Sequence, residues 1–515
     1  MSLKENIMTY RLRQGSCNRT ATRMLCAIFV LALSGCTVGP DFVRPEAPSV
    51  EHYNQGSDPS ETVAAEGQPQ IFEKGVGPVA NWWKLFDSKQ LDAAVAVGLA
   101  NNASLEAAQA SLRQSQDNLH AGYGIFYPQI DAGLGAERQK YSPARIGSAA
   151  PASIFNLVTL SASVSYTLDI FGGEHRAIES LQSEVDLQRS TVLAAYLALS
   201  GNIVNTAIAA AAYREQIKYT EQLIALQQEQ VDITAKQAQA GTVPYESVLS
   251  LRSQLAALES TLPPLRQKLS QSENLLATLA GHAPSEWAPA PIAMDELSLP
   301  DKLPLSLPSE LVRQRPDILA AEAQMHGASA NIGVATAAQF PSFTLNGTYG
   351  QNNSSLSGLF GKNANFWSVG PNIALPLFNG GTLSEKKQAA IDAYQQSQAL
   401  YRQTVLDAFA QVADTVRALE HDAETMQAES QSVSASEQSL HLTRVNYQAG
   451  LINYLQVLAA DIQYRQAKIA YLQARAQRLQ DTTALFVALG GDWQAVPLSP
   501  PGTSPGAPPT APVRH

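Results

Sequence analysis

Few residues in this chain have the type and spacing that chemistry requires. The clearest is Cys36, which closes the run Leu33-Ser34-Gly35-Cys36. Small residues directly before a cysteine, preceded by a short apolar core and a basic region, resemble a bacterial lipobox, in which Cys36 becomes the lipidated first residue; the alternative is a buried or ordinary signal-region cysteine. The basic region holds Arg11, Arg13, Arg19 and Arg23, and the apolar core is MLCAIFVLAL at 24–33. That core is too short to span a bilayer as a mature helix. Cys17 and Cys26 lie upstream and would be removed with the signal, so no disulfide is possible within the mature chain.

No catalytic constellation accompanies it. HExxH, GxSxG and GxxxxGK[ST] are all missing, and the eight histidines are scattered. His282, His326 and His421 stand singly in helical or loop contexts, where packing or surface roles outweigh metal or catalytic ones. Arg315-Pro316-Asp317 fits ordinary helix initiation, with proline at the start and an acid in the first turn. Trp82-Trp83 is expected to pack the N-terminal segment onto the helices. No metal, cofactor or catalytic residue is expected. The formal net charge is −10, and the removed signal is basic, so the mature chain is more acidic still. Nucleic acid is therefore excluded as a partner class.

The elements that carry these residues occur twice. FYPQ at Phe126 returns as FPSF at Phe340, and LDIFGG at Leu168 as LPLFNGG at Leu375. QAGTVPYESVLSL at Gln239 returns as QAGLINYLQVLAA at Gln448, and LLATLAGH as LFVALGGD. The copies lie about 210 residues apart, the mark of a duplicated unit. Each copy reads as helix, strand hairpin, very long helix, sharp tip and return helix.

The strands alternate with period two. In VTLSASVSYTLD, residues 158–169, Val158, Leu160, Ala162, Val164, Tyr166 and Leu168 share one face while Ser, Thr and Asp occupy the other. In the second copy Trp367, Val369, Ile373, Leu375 and Leu377 alternate with Ser368, Gly370, Asn372 and Ala374. Partner strands are expected at 129–138 and 342–349, with closing loops at 139–156 and 350–365. Such strands suit an outer-membrane barrel, although a soluble sandwich also alternates. Four strands cannot close a barrel, for which about eight are needed, so membrane-spanning strands would require several chains to share one.

Residues 174–240 and 383–449 are two runs of 67 without proline, and the second also lacks glycine. As helices each would reach about 100 Å. Heptad-like series run through Tyr196, Ile203, Ala210, Ile217, Ile224 and Val231, and through Val405, Val412, Leu419, Met426, Val433, Leu440 and Tyr447, which calls for partner helices. Ala240-Gly241 and Ala449-Gly450 mark the tips. Return helices are expected over 245–280, broken by Pro263-Pro264, and over 452–489 without a break. No uninterrupted apolar stretch long enough for a transmembrane helix is expected after the signal.

CTVGPDF at Cys36, NWWKLFDSKQLD at Asn81 and RPDILAAEAQMHGASANIGVATAAQFPSFTLNG at Arg315 resemble the outer membrane factors of TolC-like type. The match is to the NodT-type lipoprotein branch that works with resistance-nodulation-division pumps. The resemblance covers about residues 36–493. It implies a homotrimer in the outer membrane, with four strands per chain closing a twelve-strand β-barrel continuous with a periplasmic α-helical coiled-coil barrel. It implies a passive exit duct for small molecules such as drugs, and not an enzyme. The implied partners are a periplasmic adaptor (membrane fusion) protein, the inner-membrane pump and outer-membrane lipid. Helical tips at Gly241, Thr242, Gly450 and Leu451 would meet the adaptor, and Leu455 with Tyr454 would form the periplasmic gate. Relatives often carry aspartates where this chain has Gln456 and Ala459; Asp461 lies two residues further on. The corresponding division is signal peptide 1–35, lipid-anchored segment 36–86, repeat one 87–283, Pro-rich linker 284–308, repeat two 309–493 and a disordered tail 494–515. The competing readings are a lipid-anchored periplasmic coiled-coil scaffold or adhesin, the duct of a protein-secretion system and, more remotely, a lipoprotein hydrolase.

Overall fold

The computed structural model describes residues 37–65, 67, 69–142, 147, 149 and 151–491. Cys36, the signal region and the tail after Trp493 lie outside the described residues. The chain forms two compact units. One gathers the residues up to Phe42 with His120–Leu181 and Gly327–Tyr394; the other comprises Val43–Leu119, Gln182–His326 and the residues from Gln395 onward.

The first unit is built on a four-stranded antiparallel sheet. Its strands are β2 (Gln129–Tyr141), β3 (Ser153–Leu168), β5 (Ser342–Asn353) and β6 (Asn365–Ala374), in the order β2-β3-β5-β6. Two hairpins, one from each repeat, therefore lie side by side. All four expected strands form; three run further than the alternation alone suggested, β2 to Tyr141, β3 from Ser153 and β5 to Asn353, whereas β6 ends at Ala374 and leaves Leu375 and Leu377 beyond it. The Ser-, Gly- and Asn-rich stretches taken as loops are shortened accordingly, because their residues find ladder partners such as Tyr141↔Ser153 and Thr159↔Asn352.

The second unit is helical. It contains α1 (Lys89–Asn101) and most of each long helix, α3 (Gly173–Gln239) and α8 (Thr382–Gln448), both 67 residues. It also holds the return helices, α4 (Tyr245–Glu259) with α5 (Leu262–Leu279), and α9 (Tyr454–Ala488). The first return is interrupted at Ser260-Thr261, just ahead of Pro263 and Pro264, which sit in the first turn of α5 where proline is tolerated. The second return is continuous, as its sequence requires. Two more helices, α2 (Ala103–Gly122) and α7 (Pro316–Ala337), precede the hairpins, and a short α6 (Pro308–Gln314) precedes α7.

One expectation about membranes needs correction. The helix α3 contains an 18-residue window with mean hydropathy 1.5, enough to cross a bilayer by composition alone. Alanines, valines and isoleucines between Val192 and Ala212 supply it, and 56% of the window is buried against the rest of the protein. That apolarity serves packing.

The heptad series behaves differently in the two long helices. On α8, Val405, Val412, Leu419, Met426, Val433 and Leu440 are all buried. On α3, Ile203, Ala210 and Val231 are buried, but Ile217 and Ile224 remain partly exposed.

The N-terminal segment is stitched onto the helical unit. Its strand β1 (Ile71–Lys74) pairs in parallel with β4 (Lys302–Leu305), inside the stretch read as a linker. Trp82 stacks on Phe486 of α9 at 5.3 Å, and the Trp83 indole N–H donates to Asp92 at 3.0 Å. Arg315, at the junction of α6 and α7, does more than start a helix. Its buried guanidinium donates to Asp317 (2.6 Å), to the Ala488 carbonyl (2.8 Å) and to Gln411 (2.9 Å), tying α7 to α8 and α9.

Candidate functional site: helical tips and a two-faced sheet

The two tips share one geometry. At the end of α3, Gly241 has φ 74°; its N–H donates to Ala238 O and that of Thr242 to Gln237 O, each at 3.0 Å. At the end of α8, Gly450 has φ 73°; its N–H donates to Tyr447 O at 2.9 Å and that of Leu451 to Asn446 O at 3.0 Å. Both are Schellman caps, which satisfy the last carbonyls and need a left-handed residue that only glycine supplies cheaply. The duplicated QAG is thus a folding instruction for two matched turns. The residue after each glycine, Thr242 or Leu451, is exposed. The Thr242 hydroxyl also donates to Gln237 O at 2.8 Å.

Beyond the second tip, Asn453 caps α9 by accepting from the Gln456 N–H at 3.2 Å. Tyr454 opens the helix, with its ring 5.4 Å from that of Tyr447 and its hydroxyl hydrogen-bonded to Glu229 of α3. Leu455 is half-buried and makes no polar contact of its own. Asp461 cannot serve as a free acidic surface. It is buried, and its carboxylate accepts from Arg444 of α8 at 2.8 Å and from Arg465 at 3.0 Å. Arg465 in turn donates to Gln222 of α3 and lies 5.9 Å from the Tyr219 ring centre. The carboxylate therefore pins three helices together. Sequence spacing flagged Asp461 but gave no sign of these partners, because Arg444 and Gln222 are far from it in the chain.

Further along α9, Arg478 is 1% exposed. Its guanidinium donates to Gln70 Oε1 at 3.0 Å and Thr62 Oγ1 at 3.2 Å, anchoring the N-terminal segment. Near it Asp422 and Asp481 face each other. Burial, reinforced by the hydrogen bond and charge of Asp481, pushes the Asp422 carboxyl up to about 7, with Arg478 pulling the other way. Nothing in the sequence pattern singled out this cluster.

In the first unit the sheet has two chemically distinct faces. Ladder pairs place Ile130, Val164, Gly347 and Val369 on one line, and Leu168, Phe343 and Ile373 on another of the same face. The opposite face carries Asp131, Ser163, Thr348 and Ser368, then Thr344 and Asn372. The apolar face is bare: Ile130 is 73%, Val369 69% and Trp367 70% exposed. The outer edges of β2 and β6 pair with no strand among the described residues. No group of three or more potential metal ligands occurs among them either.

Known proteins share this arrangement. The profile of the outer membrane efflux protein family matches residues 95–282 and 307–491, one stretch per repeat. The pyoverdine export outer membrane protein OpmQ of Pseudomonas putida is 30% identical over 422 residues, 81% of this chain and 89% of that protein. Nodulation protein T of Rhizobium leguminosarum bv. viciae is 28% identical over 405 residues, 78% and 80% of the two chains. The solved structure of the outer-membrane channel OprN superposes with a TM-score of 0.77 at 26% identity, covering 89% of this chain and 100% of that one.

Proposed function

This chain belongs to the outer membrane efflux protein family, and from that membership we infer an outer-membrane channel that conducts small molecules outward as the exit duct of a tripartite efflux system. It is a conduit, not an enzyme. The observation that carries the reading is the sheet: one face presents exposed Ile130, Leu134, Val164, Trp367, Val369 and Ile373, the other carries Asp131, Ser163, Thr348, Ser368 and Asn372, and both edges are open among the described residues. An open strand edge in hydrocarbon leaves backbone groups unpaired at several kcal/mol each. Three copies supply twelve strands and close the edges into one barrel, with polar faces lining water and apolar faces meeting lipid. The long helices of three copies then form the periplasmic coiled-coil barrel, and the partly exposed Ile217 and Ile224 find partners there.

The remaining assignments follow this scheme. Cys36 carries a lipid anchor. The tips at Gly241, Thr242, Gly450 and Leu451 receive a periplasmic adaptor protein, which links the duct to an inner-membrane resistance-nodulation-division pump. Leu455 and Tyr454 narrow the periplasmic mouth. An apolar ring closes a pore by dewetting, and Asp461 is already neutralised by two arginines, so the mouth lacks a free acidic ring at that position. Division of the mature chain into an anchored segment (36–86), two repeats (87–283 and 309–493) and an intervening linker (284–308) matches the duplication.

The protein reconstituted into planar bilayers is expected to give discrete conductance steps and to run as a heat-resistant oligomer. Absence of conductance from a folded, membrane-inserted preparation would overturn the channel reading in favour of an anchored scaffold.

A further inference from the structure

We propose that the loop after β6 is a peg, seated through Leu377 and Phe378 in a socket at the foot of the first hairpin of a second copy of this chain. The inference rests on the reading that copies of the chain share one barrel, and it names what locks them together below the strands. The duplication supplies the template. In repeat one the chain leaves β3 through Ile170 and Phe171, which line a cavity of about 630 Å³ where α7 gives way to β5. Phe171 stacks there on Phe340 at 4.7 Å and lies 6.4 Å from Phe343. Gly173 passes so close to the end of α7 that a Cβ on it would stand 2.9 Å from the Ala337 Cβ. The peg of repeat one is thus seated against repeat two within one chain.

The matching peg of repeat two is bare. Leu377 is 87% and Phe378 92% exposed, and a Cβ on Gly380 or Gly381 would meet nothing within 4 Å. Adjacent apolar side chains bared to this extent mark an interaction surface. The matching socket is open as well. A second cavity, of about 440 Å³, lies where α2 gives way to β2. With Pro128 and Pro341 aligned, Ala121, Gly124, Ile125 and Gln129 around it match Val334, Ala337, Ala338 and Ser342 around the first. With the starts of the long helices aligned, Glu174 matches Leu383. A Cβ on Gly124, the match of Ala337, would meet nothing within 4 Å. Tyr127 and Ile130, the matches of Phe340 and Phe343, are exposed.

The sheet order puts peg and socket at opposite edges of one chain, since the peg follows β6 and the socket precedes β2. They meet within one chain only if its own sheet closes, and four strands are too few. A peg and a socket on different surfaces make a heterologous contact, which closes into a ring when repeated about an axis. Phe378 of one copy therefore seats against Tyr127 and Ile130 of the next, as Phe171 seats against Phe340 and Phe343. A lipid acyl chain would satisfy the apolarity of the socket but would not account for its position-by-position match to a site that holds the equivalent loop.

The test places the photoreactive amino acid p-benzoylphenylalanine at position 378 of the full-length protein and illuminates isolated outer membranes. The expected product is two chains joined between residue 378 of one and a peptide spanning residues 121–130 of the other, read by mass spectrometry. Gly124→Phe, which fills the socket, should abolish that product; should this variant fail to insert, Gly124→Leu serves the same purpose. Phe378→Ala should lower the yield of heat-resistant oligomer by about tenfold or more, as truncation of a central aromatic anchor does. Native mass spectrometry of the same preparations separates the two readings. An oligomer whose cross-links fall only on lipid, on another protein or elsewhere on the chain would overturn the peg and leave the shared barrel intact. A monomer alone would overturn both. Cross-links that persist unchanged in the filled-socket variant would overturn the seating too.

Discussion

The two return helices descend from one duplicated sequence and are used in opposite ways. Eight residues past each tip glycine stands a leucine. Leu458 on α9 is 1% exposed, whereas Leu249 on α4 is 52% exposed. Three positions further, Asp461 is buried between two arginines while its counterpart Arg252 faces solvent. On the first return only Val248, Leu255, Leu276 and Ala277 are buried. The second buries residues along its whole length, from Val457 to Ala488. The break at Ser260-Thr261 accompanies the exposed return, and the continuous helix accompanies the buried one. The second return helix is thus packed along its length, and the first is not. The first return keeps an exposed face, and the sheet keeps two edges that pair with no strand among the described residues.

The contrast can be broken by paired substitutions. Leu458→Ala should cost about 2–5 kcal/mol, as for other buried leucines. Leu249→Ala should change protomer stability by no more than about 0.5 kcal/mol, as for a surface site. Chemical denaturation of the detergent-solubilised protein compares them, and equal losses would erase the distinction between the repeats.

The sheet offers the next largest effect. Val164→Arg and Ile373→Arg place a charge on the apolar face and should cost about 2–4 kcal/mol near the membrane midplane. Ser163→Arg and Asn372→Arg, on the polar face, should be milder. Yields of heat-resistant oligomer in isolated outer membranes rank the four.

At the mouth, Leu455→Ala should raise resting single-channel conductance. Glu246→Ala, at the equivalent place in repeat one, should leave it unchanged. Strong block of the wild type by divalent cations would instead reveal an acidic ring elsewhere.

The smallest effect concerns pH. Asp422 titrates near 7 in the folded protein because burial and Asp481 disfavour its charge, well above the carboxylate value of about 3.9 in an unfolded chain. A raised folded value means stability is present at low pH and is lost as pH climbs from about 4 to about 7. Thermal stability should therefore be higher at pH 5.5 than at pH 8, with the difference reduced in Asp422→Asn. A pH profile identical in the variant would remove this pair as its source.

Much of this was legible in the sequence because it rests on local rules. Long proline-free stretches gave both 67-residue helices to within one residue at each end, and the two QAG signals placed both tips. Period-two alternation put Val164 and Ile373 on the face opposite Ser163 and Asn372. The interactions hidden from the sequence are those between distant positions. Arg478 reaches Thr62 and Gln70, Arg444 reaches Asp461, and Arg315 reaches Gln411 and Ala488. No periodicity encodes which buried charge meets which partner. Nor could the heptad series reveal that Ile217 and Ile224 stay partly exposed within a protomer, since a stripe that packs inside one chain reads the same as one that packs between chains.

In the function proposed above, one chain is an incomplete duct, closed by copies of itself through the open sheet edges. Native mass spectrometry of the protein extracted from the outer membrane tests it directly. A species of three chains, dissociating to monomers only with loss of conductance, is the predicted result. A monomer that still conducts in planar bilayers would contradict the account.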